Sequence, residues 1–343
     1  MIQSLQILYI GSLKAPLNSY QRFITLKNLG HNVEGIDAEF FIHQSIFEKI
    51  NYRTSLGPGA IKLNKVIKKK IAEKKWDIIW IDNKPYLTAS TLQFIKHKQP
   101  QAKIINLVTD DAFGAYKSKW KLAHKTAKYY DWHFVQRPEN IKEYKDCGAN
   151  NVDFCFRSFD PEFHRPLALS EIDKQKHQTQ VGFVGSYEEE REDFIAYLIQ
   201  NGINVSVSGD AWAGKKHWNL IEKKYVGESV YGDEYIKRIN GMDICLHFLR
   251  KGNRDTQDSR TFEIPACKVF MLAERSILHE QFFEENREAV LFATKEELLE
   301  KVRYFLANSE ERKTIAEAGY KKNFEAGYSH TDRLISVIKQ VIS

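Results

Sequence analysis

The chain has 343 residues, 43% of them hydrophobic and 28% charged, a composition that excludes an intrinsically disordered chain. Its length predicts two domains rather than one core, and no apolar run is long enough to span a bilayer. Residues 1–165 carry 26 Lys and Arg against 16 Asp and Glu, whereas residues 166–343 carry 25 against 29, giving +6 in all. The basic first half predicts contact with an anionic membrane or acceptor.

Apolar strands alternate with helices along the first half. Strands are predicted at Leu5–Ile10, from His31, at Asp77–Asp82, at Lys103–Val108 and at Asp131–Val135, with a helix from about Ser19 to Leu29. Near-continuous apolar character is typical of buried parallel strands. The N-terminus has no signal-peptide pattern, so we expect a cytoplasmic protein. The first half therefore predicts a Rossmann-like, doubly wound α/β domain over residues 1–168.

A break separates the two halves. Pro161, Pro166 and the polar stretch Ser170–Gln180 predict a linker near residues 165–180. Strand patterns restart at Val181–Ser186, Val205–Gly209 and Asp243–Phe248, with a helix at Arg191–Ile199. We therefore expect a second Rossmann-like domain over residues 178–328. A last helix over residues 329–343 is expected to cross back to the first domain.

The segment Ser259–Cys267 reads SRTFEIPAC and is followed by an apolar run. It predicts a helix, capped by Ser259 or Thr261, that leads into a buried strand. The free N–H groups at such a helix start attract anions, and Arg260 adds donors suited to phosphate oxygens. Glu263, one turn further, can accept hydrogen bonds from a ribose diol. Phosphate plus ribose indicates a nucleotide, whereas a solvated Arg260–Glu263 pair on an ordinary helix is the alternative.

This segment resembles the Arg-x-Phe-Glu-x-Pro-Ala-Cys-Gly signature of the CgeB-like (spore-maturation type) glycosyltransferases of the GT-B superfamily. Further blocks of the same resemblance are Glu274-Arg275, Glu296-Glu297-Leu298, Glu310-Glu311-Arg312 and His330-Thr331 with Arg333. It covers roughly residues 180–335. The sequence departs from the family at Lys268, where the family usually has Gly, so a side chain is expected where the backbone would approach the ligand.

The resemblance implies the GT-B architecture, two Rossmann-like parallel-sheet domains facing a central cleft. It also implies metal-independent transfer of a sugar from a nucleotide-sugar donor, with UDP- or GDP-sugars expected, to a glycan, lipid-linked or protein acceptor. No further cofactor and no nucleic-acid partner are expected. Since a fold does not establish an activity, the alternative is a catalytically silent GT-B protein that binds a nucleotide-sugar or a partner enzyme.

Ligands of open α/β sheets bind beyond the carboxyl ends of the strands, which selects further donor-site candidates. These are Gly185, Ser186, Gly209, His247, Lys251, Arg254 and Thr261. We expect Gly185 to admit a ligand close to the backbone, Ser186 to donate to a phosphate, and the two cations to face diphosphate charge. The alternatives are that Gly185 and Ser186 form a plain strand-to-helix turn, that His247 is a packed core residue, and that Lys251 and Arg254 lie on a solvated loop.

Asp110 and Asp111 follow the strand Lys103–Val108 and are the acid/base candidates. Two adjacent carboxylates repel each other, which would raise one pKa toward the range of a general base for the acceptor hydroxyl. Capping of the next helix is the alternative.

Two other features complete the sequence. The lysine-rich segment Ile61–Lys75 has a helical apolar stripe and predicts a basic surface helix at the inner face of an anionic membrane, or simply one packed on the sheet. The four cysteines and eleven histidines show no metal-type spacing, so no metal site is predicted.

Overall fold

Both halves of the chain form parallel sheets, as the alternation of apolar strands with helices predicts. The computed structural model describes residues 3–43, 57–83 and 86–343. The chain divides into two units. The first comprises Met1–Arg157, Lys251–Arg254 and His330–Ser343, and the second comprises Ser158–Arg250 and Asp255–Ser329.

The first unit is built on a six-stranded sheet. Its strands are β1 (Gln6–Gly11), β2 (Asn32–Asp37), β3 (Ile78–Asp82), β4 (Lys103–Val108), β5 (Trp132–Val135) and β6 (Val152–Phe154). They lie in the order β2-β1-β3-β4-β5-β6, and every neighbouring pair is parallel. Each predicted strand here is confirmed within one residue, because apolar runs buried on both faces give a strong pattern.

Helices cover this sheet. They are α1 (Asn18–Asn28), α2 (Ala38–His43), α3 (Pro58–Glu73), α4 (Ala89–Lys98), α5 (Lys121–Thr126) and α6 (Pro138–Asp146), with 3₁₀ turns at Lys117–Trp120, Ala127–Tyr129 and Lys251–Asn253. The predicted lysine-rich helix is α3, which buries Leu63, Ile67 and Ile71. On its surface, Lys70 and Lys74 both pair with Glu34, at 3.0 and 2.8 Å.

The second unit contains a five-stranded sheet. Its strands are β7 (Thr179–Val184), β8 (Val205–Ser208), β9 (Met242–His247), β10 (Phe270–Glu274) and β11 (Val290–Phe292). They are all parallel, in the order β11-β10-β9-β7-β8. The helices are α7 (Glu171–His177), α8 (Glu189–Gln200), α9 (Trp218–Ile221), α10 (Asp233–Asn240), α11 (Arg260–Ala266), α12 (Ile277–Phe282), α13 (Lys295–Ala307) and α14 (Ser309–Glu325), with a 3₁₀ turn at Glu222–Lys224.

The prediction of a linker over Ser170–Gln180 is wrong, because α7 and the start of β7 lie there. Ser170 caps α7 by accepting a hydrogen bond from the Asp173 N–H at 3.1 Å. Ile172 is 77% exposed, so the helix has little apolar periodicity that a sequence pattern can detect.

The last helix, α15 (His330–Ile342), is part of the first unit. Leu334, Val337, Ile338 and Val341 from one face of α15 join the apolar core of that unit. In the described ranges, no helix is long and apolar enough to cross a membrane.

Candidate active site

The carboxyl ends of β7 and β9 lie side by side in the second unit, where the strand order reverses. Arg191, in the first turn of α8, donates from Nη1 to the Ser186 carbonyl at 3.0 Å and from Nη2 to the Phe248 carbonyl at 3.2 Å. Arg191 is buried, and its Nε has no hydrogen-bond partner among the residues described. Burial lowers the pKa of Arg191, and Asp258 partly offsets this. A buried cation therefore connects the two strand ends at this point.

The two glycines of this region serve packing between loops. A Cβ on Gly185 would lie 2.6 Å from the Phe183 ring, and one on Gly209 would lie 2.0 Å from the Gly185 carbonyl oxygen. Gly209 also has a φ of 138°, which disfavours other residues. Both glycines are buried, whereas Ser186 is exposed. The backbone approach expected for a ligand at Gly185 is thus made by the Gly209 loop, and Ser186 keeps its exposed hydroxyl.

The start of α11 differs from the prediction. The Arg260 N–H donates to Asp258 Oδ1 at 2.7 Å, the Thr261 N–H donates to the Asp258 carbonyl, and the Glu263 N–H donates to the Ser259 carbonyl. Ser259 makes no side-chain cap. The prediction of free N–H groups that bind an anion is therefore wrong, because Asp258 places its own carboxylate at the helix start.

Arg260, the first residue of α11, has a partly exposed side chain with a donor that is unpartnered in the described part of the chain. Its side chain is 30% exposed, its Nη1 lies 3.8 Å from Asp258 Oδ2, and its Nε makes no hydrogen bond within the described ranges. Burial alone would lower the pKa of Arg260, but Tyr235, Asp258 and Glu263 outweigh it and raise the pKa. The guanidinium is therefore a permanent cation with donor capacity left over.

Glu263 lies one turn further along α11 and is only 5% exposed. The Tyr235 hydroxyl donates to Glu263 Oε2 at 2.5 Å, and His164 Nε2 lies 3.6 Å from Oε1. Burial, followed by the Glu263 charge, raises the pKa of Tyr235 well above its ordinary value, so the phenol stays a donor. The carboxylate is thus held in one orientation beside Arg260.

Two other candidate residues, Thr261 and His247, make their side-chain hydrogen bonds within the second unit. Thr261 is fully buried, and its Oγ1 accepts from the Asp258 N–H at 3.0 Å and bonds His279 Nε2 at 2.9 Å. His279 Nδ1 donates to the Glu274 carbonyl, so Nε2 accepts from Thr261. His247 is fully buried, and its Nε2 donates to Asp258 Oδ1 at 2.9 Å. Both residues therefore fix the position of Asp258 and of α11.

Arg254, which is partly exposed, forms an ion pair with the buried Asp111 within the first unit. Arg254 Nε and Nη2 bond the two Asp111 oxygens at 2.5 and 2.7 Å, and the guanidinium also bonds Glu143 at 2.9 and 3.0 Å. Burial alone would raise the pKa of Asp111, but hydrogen bonds from Arg254, the Phe113 N–H and Asn140 lower it to about 2. The expectation that repulsion raises this pKa is wrong, because a cation lies against the carboxylate. The charge of Arg254 is likewise compensated by two carboxylates, Asp111 and Glu143.

Asp110 is more exposed than Asp111. About half of its side chain is accessible. Asn83 Nδ2 donates to Asp110 Oδ2 at 2.9 Å, and Asn83 Oδ1 accepts from the Asp110 N–H at 3.2 Å. Asn83 has a φ of 68°, a conformation that Asn tolerates better than most residues. The Asp110 carboxylate is therefore oriented by Asn83 on Oδ2, while its Oδ1 lies 4.0 Å from Arg157 Nη2.

Two lysines remain to be placed: Lys251, the other predicted cation, and Lys268, where the sequence departs from the family signature. Lys251 is exposed and begins a 3₁₀ turn that is part of the first unit. Lys268 has a φ of 58°, just after α11, and its exposed ammonium pairs with Glu317. Glycine suits such a left-handed position at a helix end, which explains the family preference by conformation. Among the side chains described, no cluster of three His, Cys, Asp or Glu could hold a metal ion.

Comparisons with known proteins point to glycosyltransferases. The model of a glycosyl transferase-like family matches residues 191–339. No curated protein matches significantly. Similar solved structures include HepE (Alr3699) of Anabaena in complex with UDP and glucose, with a TM-score of 0.65 and 13% identity over 99% of this chain and 100% of that chain.

Two more structures cover both chains almost completely. Sucrose-phosphate synthase of Thermosynechococcus elongatus gives a TM-score of 0.67 and 10% identity over 98% of this chain and 99% of that chain. A glycosyltransferase of Rickettsia africae gives a TM-score of 0.66 and 13% identity over 99% of this chain and 98% of that chain. This chain has the GT-B glycosyltransferase fold. The predicted fold class is confirmed, and the glycosyl transferase-like match covers Arg191, Tyr235, Arg260 and Glu263.

Sequence reasoning about this chain missed Arg191, Tyr235 and Asp258. Arg191 had a detectable signal, because a cation in the first turn of a helix that follows a strand end lies near the ligand edge. Tyr235 had none, since it is 28 residues from Glu263 and meets it only in the folded unit. Asp258 had a signal too, because Asp is a common capping residue just before a helix such as α11.

Proposed function

We propose that this GT-B protein is a CgeB-like glycosyltransferase that transfers a sugar from a UDP- or GDP-sugar to a glycan, lipid-linked or protein acceptor. The glycosyl transferase-like match and the UDP ligand of the HepE structures support this proposal. One observation carries it. Arg260, a partly exposed cation with an unpartnered Nε, lies one turn from a fixed carboxylate, Glu263, on a helix that follows the strand ends.

In this proposal, Arg260 and Arg191 hold the diphosphate of the donor. Burial lowers the pKa of Arg191, and the like charge of Arg260 lowers it further. A nucleoside diphosphate gains negative charge as it leaves, and cations fixed in advance stabilise that charge most in the transition state. The exposed Ser186 hydroxyl donates to a phosphate, and Glu263 accepts from the ribose.

The acceptor-side acid/base role is assigned to Asp110. Its neighbour Asp111 is buried against Arg254, and its pKa of about 2 makes it too weak a base. Asp110 is half-exposed, is oriented by Asn83 and, among the described residues, has only a distant cation, Arg157 Nη2 at 4.0 Å, so its carboxylate is proposed to accept the proton of an acceptor hydroxyl. In a reaction with retention at the anomeric carbon, the same carboxylate positions the acceptor hydroxyl.

The basic helix α3 is proposed as a contact for an anionic membrane. Its buried face is Leu63, Ile67 and Ile71, while Ile61 is 54% exposed among lysines. Such a surface fits the negative headgroups that surround lipid-linked acceptors. A cytoplasmic location at the inner membrane face is part of this proposal, and flotation with phosphatidylglycerol vesicles tests it.

A catalytically silent GT-B protein is the second candidate. The observation that favours it is the neutralisation of Asp111 and Arg254 by each other, which removes two residues from the predicted machinery. This protein would bind a nucleotide-sugar without consuming it.

The test is a thermal-shift panel of UDP, GDP, ADP, CMP and dTDP, followed by release of nucleoside diphosphate from the matching sugar donor. Arg260→Ala and Glu263→Ala are compared with Arg287→Ala, which removes an exposed cation paired with Glu284 in the same unit. We expect one nucleotide to stabilise the wild type and Arg287→Ala but neither site variant. Binding without any donor consumption supports the silent protein, and no binding at millimolar nucleotide contradicts both.

Metal independence is tested in the same assay. We expect EDTA to leave nucleotide binding and donor consumption unchanged, because cationic side chains take the place of a metal in this proposal. Loss of donor consumption in EDTA, restored by Mg²⁺, would contradict it.

A further inference from the structure

The strongest unexplained feature of the second unit is the shell around Glu263. A buried carboxylate is costly unless it is paired or hydrogen-bonded. No cation donates a hydrogen bond to Glu263 among the described residues: His164 Nε2 is 3.6 Å from Oε1, and the neighbouring Arg260 pairs with Asp258 instead. Its short bond is to a neutral phenol, Tyr235, at 2.5 Å. Such an arrangement fixes a carboxylate while leaving acceptor capacity for a ligand.

We propose that Tyr235 is the positioning residue for ribose recognition, and that it makes the donor site selective for ribonucleotides over deoxyribonucleotides. A carboxylate offers about four acceptor positions, of which Tyr235 takes one on Oε2. The others stay available for hydroxyl donors such as the 2′- and 3′-OH groups. This inference rests on the proposed function, because it assumes that Glu263 meets the ribose.

Three observations support the positioning role. Tyr235 comes from α10, in the chain segment before β9, so its hydroxyl ties α11 to a second element. Its pKa is raised well above the ordinary value, first by burial and then by Glu263, so it acts only as a donor. On the other side, His164 Nδ1 accepts from the Asp160 N–H at 3.2 Å. A carboxylate at 3.6 Å favours the tautomer with its proton on Nε2, which faces Glu263.

The consequence is a specificity that the carboxylate alone would not have. Without the Tyr235 hydroxyl, Glu263 can rotate toward Arg260, three residues earlier on the same face of α11. It would then pair with that cation instead of the sugar. A site that positions an acceptor for a hydroxyl rejects the analogue that lacks it, because its own polar group is left unpartnered.

The experiment measures dissociation constants for UDP, 2′-deoxy-UDP and 3′-deoxy-UDP by calorimetry, or for the GDP series if the panel selects GDP. The readout is the ratio of deoxy to ribo dissociation constants. We expect the larger of the two ratios to be about 10 or more in the wild type, because losing a hydrogen bond to a charged group weakens binding about tenfold or more. In Tyr235→Phe we expect this ratio to fall to about 3 or less.

Tyr328→Phe is the matched control. Its hydroxyl donates to the Phe282 carbonyl at 3.2 Å, and its ring packs on Phe262 of the same helix, so the variant loses a buried phenol bond next to α11 without touching Glu263. We expect it to keep the wild-type ratio even if its melting temperature falls. A purely structural role for Tyr235 would lower stability and leave the ratio unchanged.

The outcomes separate the two levels of the argument. If Glu263→Ala abolishes the ratio and Tyr235→Phe does not lower it, the positioning role is overturned while the proposed function stands. If Glu263→Ala keeps the wild-type ratio, or if wild type does not discriminate, Glu263 does not read the ribose and the positioning role of Tyr235 falls with it, while the Arg260→Ala comparison still decides donor binding. A reduced ratio in both variants, with Tyr328→Phe unchanged, supports the inference.

Discussion

Replacing Asp111 by Asn removes the charge that holds Arg254, and we expect it to destabilise the first unit rather than to abolish chemistry. Asp111 is nearly inaccessible and accepts two bonds from Arg254, at 2.5 and 2.7 Å, besides one from Asn140. Its pKa in the folded protein is about 2, against an ordinary value of 3.8. Since one pKa unit corresponds to about 1.4 kcal/mol, the interaction contributes about 2–3 kcal/mol at neutral pH.

The sign of the pH dependence follows from the direction of the shift. The folded pKa is lowered, so the stabilisation is fully present above pH 4 and disappears as the pH falls through about 2. Wild type and Asp111→Asn should therefore differ by about 2–3 kcal/mol at pH 7 and converge toward pH 2. Urea unfolding at several pH values measures the difference, and peptide-resolved hydrogen exchange over residues 103–146 assigns it to the first unit.

Asp110→Asn is the matched control, because it makes the same change at the neighbouring, half-exposed carboxylate. We expect its stability to stay within about 0.5 kcal/mol of wild type. The reasoning is refuted if Asp111→Asn is as stable as Asp110→Asn at pH 7 but has lost donor consumption. That result would make Asp111 a reacting group.

The other predictions concern the second unit. Lys268→Gly should raise stability by about 0.5–1 kcal/mol, because a φ of 58° favours glycine and the exposed pair with Glu317 is worth little, while nucleotide affinity stays the same. A tenfold change in affinity on calorimetry would show that the Lys268 side chain reaches the donor pocket. Arg191→Ala should weaken nucleoside diphosphate binding about tenfold or more, and Arg191→Lys should not restore it, since an ammonium cannot bond both the Ser186 and Phe248 carbonyls in the same way. Unchanged affinity in Arg191→Ala would remove Arg191 from the proposed donor site.

Most strands of both units follow from local patterns in the sequence, whereas the short strands β6 and β11 and the majority of the helices escape prediction. Lys103–Val108 is predicted to the residue because its apolar run is buried in the middle of a parallel sheet. The helix Glu171–His177 escapes prediction because a short polar helix held by a cap and by the Lys237–Asp173 ion pair lacks apolar periodicity.

The candidate site is predictable in composition but not in its contacts. Arg260 and Glu263 are found from their spacing on one helix and from a family resemblance. The partners that decide how each residue acts are distant in sequence. Asp111 and Arg254 are 143 residues apart, and nothing local distinguishes a carboxylate beside a guanidinium from one facing solvent. Charge pairing between distant segments is therefore what the sequence does not reveal here.

The central claim is that Arg260 binds the diphosphate of a nucleotide donor. Calorimetric titration of UDP and GDP into wild type, Arg260→Ala and Arg287→Ala, at one fixed salt concentration, tests it most directly. We expect Arg260→Ala to bind about 10–100 times more weakly than wild type, because a charge-assisted bond is lost, and Arg287→Ala to match wild type. Equal weakening in both variants would reduce the effect to net charge, and unchanged affinity in Arg260→Ala would contradict the account.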